Sequence, residues 1–257
     1  MNPLKFYIST LLIVCLVFAI TTASKDKDTQ QTYIPETNAE AFALMELFTS
    51  QGCSSCPPAD NLLGKYAAMH NEHIIALAFH VDYWNRLGWT DSFSSPKYSR
   101  RQRDYAMVID HSSVYTPQLV INGETELIGS DAGKVSDAVS KALKGRAAIV
   151  ISIDKIEKSG KDIMVNYTLD KTFPNLTMQA ALVQKEVVTN ILKGENRGLK
   201  LTNYNVVRDF NSDHISNTSS GIHLNLPTGA HDNDFAIVLF IQDDASGKVI
   251  GVTQKKL

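Results

Sequence analysis

The stretch Glu46-Leu-Phe-Thr-Ser-Gln-Gly-Cys53-Ser-Ser-Cys56-Pro-Pro-Ala-Asp60 joins the end of an apolar run to the start of a helical pattern. Upstream, Ala41 to Phe48 is apolar and of strand length, and downstream Ile74 to Val81 repeats that character. Runs that are continuous rather than alternating belong in the middle of a sheet covered on both faces. Between them Pro57 suits a first helical turn, and Leu62, Leu63, Tyr66 and Ala67 recur at helical spacing. The order is strand, turn with two cysteines, helix, strand.

Two thiols three positions apart at a helix start can join. First-turn N–H groups and the helix dipole favour a thiolate there. Cys53 is the expected nucleophile, and Cys56, one turn inside the helix and less exposed, would resolve a mixed disulfide. The chain has 3 cysteines, and the third, Cys15, lies in the apolar run Phe6 to Ile20 that follows Lys5. With small residues Thr21-Thr22-Ala23 after it, this segment reads as a secretory signal, too short for a comfortable membrane span. Its removal leaves Cys53 and Cys56 to pair only with each other, in an oxidising compartment.

Working outward, residues 24–40 are polar and without periodicity, as in a flexible N-terminal tail. After aromatic-rich Asp82 to Thr90, a helical insertion is expected from Ser95-Pro96, with Tyr98, Arg101, Tyr105 and Ile109 on one face. Gln118 to Ile121 and Glu124 to Ile128, joined by Asn122-Gly123, read as a hairpin. Asp131 opens a helix striped by Val135, Ala138, Val139, Ala142 and Leu143, with Gly145 as its expected left-handed cap. Beyond Gly145 the runs Ala148–Ile153, Ile163–Leu169, Met178–Val188, His223–Leu226, Phe235–Ile241 and Val249–Val252 are strand-like, suggesting a β-sandwich. The expected organisation is 1–23 signal peptide, 24–40 tail, 41–146 an α/β domain and 147–257 a β-rich domain.

This order resembles the thioredoxin-like superfamily, over about Ala41 to Leu143. The resemblance rests on the strand, Cys53-Ser54-Ser55-Cys56, the Pro57 helix, the second strand, and Thr116-Pro117 opening the hairpin. It implies a cis-proline loop facing the dithiol, with Thr116 and Pro117 guiding an incoming peptide. The alternative is a trans proline at a strand start. Phe79-His-Val-Asp-Tyr-Trp84, Leu87-Gly-Trp89, Lys193-Gly-Glu-Asn-Arg-Gly198 and Asn205-Val-Val-Arg208, with the opening stretch, are similar to a secreted bacterial family catalogued as domain of unknown function 1223. That family brings a thioredoxin-like fold and a periplasmic setting but no established substrate. Ser54-Ser55 between the cysteines leaves the redox direction open.

Other residues carry two readings each. His80 and Asp82, at the end of the second apolar run, are candidates for a proton relay beside the dithiol or for structural hydrogen bonding. Tyr83, Trp84 and Trp89 line a groove or pack the core. His70 and His73 read as solvated loop residues. Arg100, Arg101 and Arg103 read as a solvated face, and Glu195, Asn196 and Arg208 as a buried polar network or a partner-binding edge.

Charge excludes some classes. Twenty-five basic and 27 acidic residues give a net charge of -2, so no basic field draws nucleic acid or anionic lipid. The expected function is a periplasmic or secreted thiol-disulfide oxidoreductase with protein thiols or disulfides as partners. It needs no cofactor and no metal, binds no nucleic acid, and has no stable membrane span once the signal is removed. Alternatives are a copper chaperone using the dithiol with His80, a zinc site recruiting His80 and His111, and a non-catalytic secreted binding protein with an inert bridge.

Overall fold

The computed structural model describes residues 40–69, 71–109 and 113–257. The expected signal peptide, all of the expected tail but Glu40, His70 and His111 lie outside them. The fold is mixed α/β, with one large, mostly antiparallel sheet and few helices.

Strand β1, Ala43–Thr49, is buried along its whole length, as its unbroken apolar character requires. It pairs in parallel with β2, Ile74–His80, in a register that sets Thr49 beside His80. The helix between them, α1, Pro57–Ala67, starts on two prolines, so its first turn contributes fewer N–H groups than the sequence reading assumed. Helix α2, Pro96–Val108, is capped by Ser95, whose hydroxyl accepts from the Lys97 N–H at 3.3 Å. Strands β3, Gln118–Ile121, and β4, Thr125–Ile128, form the hairpin expected from Asn122-Gly123, whose φ angles are 50° and 68°. Helix α3, Ala132–Ala142, opens on Asp131, which accepts from the Lys134 N–H. It closes at Leu143 in a right-handed conformation, so Gly145 is not the left-handed cap.

The remaining strands are β5, Ile151–Ser159; β6, Asp162–Leu169; β7, Leu176–Asn190; β8, Lys200–His214; β9, Ser219–Asn225; β10, Phe235–Asp243; and β11, Val249–Lys256. Strand β8 was not expected. It changes the architecture, because it pairs with β7 on one side and meets β2 at Ala78–Val206 on the other. The result is an eight-stranded sheet in the order β11-β10-β7-β8-β2-β1-β3-β4, and β5, β6 and β9 form a smaller sheet.

The core follows this sheet. On one side Met45, Leu47, Ala76 and Ala78 pack with Leu63 of α1 and Val135 and Val139 of α3. Another cluster joins Phe48, Phe79 and Tyr98 to Val183, Val207, Phe210 and Phe240. A third seats Ile163, Val165 and Tyr167 of the small sheet with Met178, Leu182, Ile237 and Leu239, the sandwich-like part of the fold. Each buried Phe or Leu contributes about 1.5–3 kcal/mol relative to exposure. Sheet and second cluster both run across residue 146, where two domains were expected to meet, and the described chain is one compact unit.

Arg101 departs from the expected solvated face. It is buried, with Nε 2.6 Å and Nη2 2.9 Å from the two oxygens of buried Glu46, and its guanidinium lies 4.8–5.7 Å from the ring centres of Phe79, Tyr105, Phe210 and Phe240. A buried cation persists only where charge and rings replace water, and the shared helix face with Tyr98 and Tyr105 delivers it there.

Candidate functional site

Strand β1 ends at Thr49, and the chain turns through Ser50-Gln51-Gly52 into the cysteines. Cys53 N–H donates to the Ser50 carbonyl at 3.1 Å and Cys56 N–H to the Cys53 carbonyl at 3.2 Å. These two short closures bring the Cα atoms to 5.4 Å, and Cys53 and Cys56 are joined in a disulfide.

Thr116 faces this bond. Its peptide bond to Pro117 is cis, and its Oγ1 donates to Cys53 Sγ at 3.3 Å while accepting from Trp84 Nε1 at 2.8 Å. Ser55 Oγ lies 3.3 Å from Cys53 Sγ and donates to the Thr116 carbonyl at 3.4 Å. Cys53, Cys56, Thr116 and Pro117 are therefore brought together. The two tryptophans fasten the surrounding loops: Trp84 holds Thr116, and Trp89 Nε1 donates to Gln51 Oε1 at 3.2 Å.

The exposure expected of Cys53 is not found: Cys53 and Cys56 are both 0% exposed, although Ser54 and Ser55 between them reach solvent. The backbone of this turn is bonded to the connection between β7 and β8. Asn196 Nδ2 donates to the carbonyls of Gln51 and Cys53, both at 2.9 Å, and Glu195 Oε2 accepts from the Ser54 N–H at 3.1 Å. Gln51 Nε2 donates to Thr189 Oγ1 and Asn203 Oδ1, at 3.0 and 3.2 Å, on the two strands leading into that connection. Arg208, grouped with Glu195 and Asn196 in the sequence, borders the His80 group beneath the turn and lowers the titration of His80. It donates to Gln184 and stacks 4.8 Å from the Phe93 ring centre.

Beneath the turn lies a buried ionisable group of three. His80 Nδ1 is 2.7 Å from Asp91 Oδ2, and that same oxygen accepts from the Gln51 N–H at 2.9 Å, which ties the pair to the cysteine turn. Burial pushes the imidazole down, but Asp91, through its charge and its hydrogen bond, and Asp60 together outweigh it, and His80 titrates above its usual value. Burial pushes Asp91 up, yet His80 and the N–H groups of Gln51 and Phe93 hold it below the usual range. Asp60, whose N–H donates to the Cys56 carbonyl at 3.1 Å, is pushed up to about 7 by burial, with His80 pulling the other way. Thr49 Oγ1, Asp60 Oδ1 and His80 Nε2 are buried without a hydrogen-bond partner among the described residues.

Asp82, paired with His80 in the sequence reading, turns away. Its carboxylate accepts from Ser99 Oγ, and its N–H donates to the same hydroxyl at 3.1 Å, so it anchors α2. His80 keeps its candidacy with Asp91 as its neighbour. Asp60 and Asp91 were missed. The one signal available was an acid at Cys56 plus four, one turn into the helix, between Ala59 and Asn61. Among the described residues no three His, Cys, Asp or Glu side chains converge as a metal site, and His80 Nδ1 is committed to Asp91.

The fold is shared with solved structures. A crystal structure of an Agrobacterium tumefaciens protein is 26% identical, covering 85% of this chain and 95% of that one with a TM-score of 0.64. HBP35 of Porphyromonas gingivalis, 14% identical, covers 86% of this chain and 77% of its own with a TM-score of 0.59, a likeness of fold alone. No curated protein matches. Residues 44–242, which hold every site residue named above, match a single family over most of the chain's length, and the chain belongs to that family, described as Protein of unknown function (DUF1223).

Proposed function

We propose that this chain is an exported, periplasmic thiol-disulfide oxidoreductase built on a thioredoxin-like arrangement, with residues 1–23 as its signal and α2 as an insertion. The observation that carries the reading is the contact of Thr116, before cis-Pro117, with Cys53 Sγ at 3.3 Å, beside the Cys53–Cys56 disulfide. An extended client strand laid along Thr116 would bring its own sulfur to Cys53.

The exchange balances as follows. A client thiolate attacks Cys53 Sγ, the Cys53–Cys56 bond breaks, and Cys56 leaves as a thiolate and takes up a proton. A second client thiolate then attacks the client sulfur of the mixed disulfide and releases Cys53 as a thiolate, which takes up the second proton. Two electrons and two protons pass from client to protein, and the reverse sequence oxidises the protein pair. Asp60 sits one helical turn from Cys56, and a carboxyl group titrating near 7 can give or accept the proton of that step. The charges of His80 and Asp91 act on this carboxyl in opposite directions, His80 lowering and Asp91 raising its titration.

The test is a redox titration of the pair in glutathione buffers, with trapping by the Cys56→Ser variant and mass spectrometry. The expected result is a defined potential and a mixed disulfide at Cys53. A Cys56→Ser protein that forms no adduct would remove the reading. Full burial of both sulfurs favours one rival, an inert bridge in a secreted binding protein. Unchanged biological activity in the variant carrying Cys53→Ser and Cys56→Ser would select the rival.

A further inference from the structure

A disulfide with no exposed surface, in a turn whose two intervening serines are wet, poses the question of what shuts it in. Besides Thr116 and Ser55, which touch Cys53 Sγ, the segment 191–199, the tip between β7 and β8, is bonded to the cysteine turn. It is internally braced: Gly198 N–H donates to the Ile191 carbonyl at 2.8 Å and Leu199 N–H to the Asn196 carbonyl at 3.1 Å. It rests against Trp89, since a Cβ added to Gly194, whose φ is 75°, would lie 3.0 Å from Trp89 Cβ. It is fastened to the cysteine turn by polar contacts, the two Asn196 donations and the Glu195–Ser54 contact.

The outer side of this tip is bare. Leu192 is 70% exposed and Leu199 48%, and Lys193, Glu195 and Arg197 are exposed as well. Only Ile191 at its base and Asn196 at its centre are buried. A segment with few buried apolar contacts and a handful of hydrogen bonds opens at a free energy far below global unfolding. The rest of the site has no such freedom, because the cysteine turn is continuous with β1 and α1, whose faces are in the core.

We propose that the tip 191–199 is a lid over the Cys53–Cys56 disulfide, with Asn196 as its latch, and that thiols reach the bond only when the latch lets go. Its biological meaning rests on the exchange reaction proposed above, with a client protein gaining access by displacing the tip. The shielding itself is a property of the folded chain toward any thiol.

The test is reduction of the full mature chain by dithiothreitol. The two thiols of the reagent close into its cyclic disulfide, and their two electrons and two protons convert Cys53–Cys56 into a dithiol, followed by alkylation and mass spectrometry over time. The folded wild type should be reduced more slowly than the same chain in urea. Asn196→Ala should speed reduction by about tenfold or more, the size of change that losing two ordinary hydrogen bonds produces. Should Asn196→Ala fail to fold, Glu195→Ala offers a milder release of the same tip, with a rise of about threefold.

Wild-type protein reduced as fast as the urea-unfolded chain, or a folded variant with an unchanged rate, would overturn the lid. The dithiothreitol rate reads the lid alone and the glutathione titration reads the exchange reaction, so either can fail without the other.

Discussion

A carboxyl group shut beneath a disulfide carries its own pH signature. Asp60 titrates near 7 in the folded chain against an ordinary 3.8, so it is neutral in both states below about pH 4, and above that only the unfolded chain ionises freely. Stability is therefore largest at low pH as far as this group is concerned and falls as pH rises toward 7. His80, raised above 6.5, acts in the same direction: its contribution is complete below 6.5 and is lost as pH rises through the folded value. Asp91 acts oppositely, since its lowered value gives stability above 3.8 that is lost on acidification. Replacing Asp60 by Asn removes the first effect and also the upward pull of Asp60 on His80. The variant should be more stable than the wild type by about 2 kcal/mol or more at pH 8, with the gap closing near pH 4. Urea melts at the two pH values measure this, and parallel profiles would refute it. A second residue-scale prediction concerns Arg101. Arg101→Met leaves Glu46 buried and uncompensated and should cost about 3–5 kcal/mol, whereas Arg103→Met, on the exposed side of the same helix, should stay within about 0.5 kcal/mol. Chemical denaturation of the pair of variants decides.

Helix α1 and strand β8 meet at one tight point. A Cβ on Gly64 would fall 2.3 Å from the ring of Tyr204, in a place where ring and helix backbone cannot both stay. Gly64→Ala, although it favours helix formation by about 1 kcal/mol, should destabilise the protein by about 1–3 kcal/mol, read as a lowered melting temperature. If it stabilises, α1 does not bear on β8. The elements of the first half were legible because their signals are local: apolar runs for β1 and β2, Pro57 and Pro96 at helix starts, Asn122-Gly123 at the turn. The polar residues of β8 masked it. Asn203 accepts from Gln51 and Asn205 donates to the Ala76 carbonyl at 3.0 Å from a left-handed φ of 48°. Side chains recruited to bond other segments break the alternation by which a strand is recognised. The cysteines and Thr116 stood out by spacing and order, and Asn196 was legible as a buried polar residue though not its partners, while Asp60 and Asp91 depend on distant segments meeting.

At the scale of the molecule, the sheet makes one body from two stretches that differ in composition. Phe79 packs at 5.3 Å on both Tyr98 of α2 and Phe210 of β8, so the aromatic core belongs to neither stretch alone. A fragment of residues 41–146 should consequently lack a cooperative melt and near-ultraviolet signal, while the full mature chain unfolds in one transition. A fragment that melts sharply would restore two independent domains. Legibility failed here at the level of topology: nothing local in the sequence announces that β2 and β8 are neighbours, and their only paired residues are Ala78 and Val206.

The latch and the turn it guards are 143 residues apart in the chain. Synthesis proceeds from the amino end at about 5–20 residues per second, so a nascent polypeptide presents its two sulfurs roughly ten seconds or more before the hairpin that will roof them exists. If the hairpin is a lid, an agent that meets the chain before the hairpin folds finds the sulfurs open, and one that arrives later finds them shut in. The history of the bond is written by whichever agent comes during that interval.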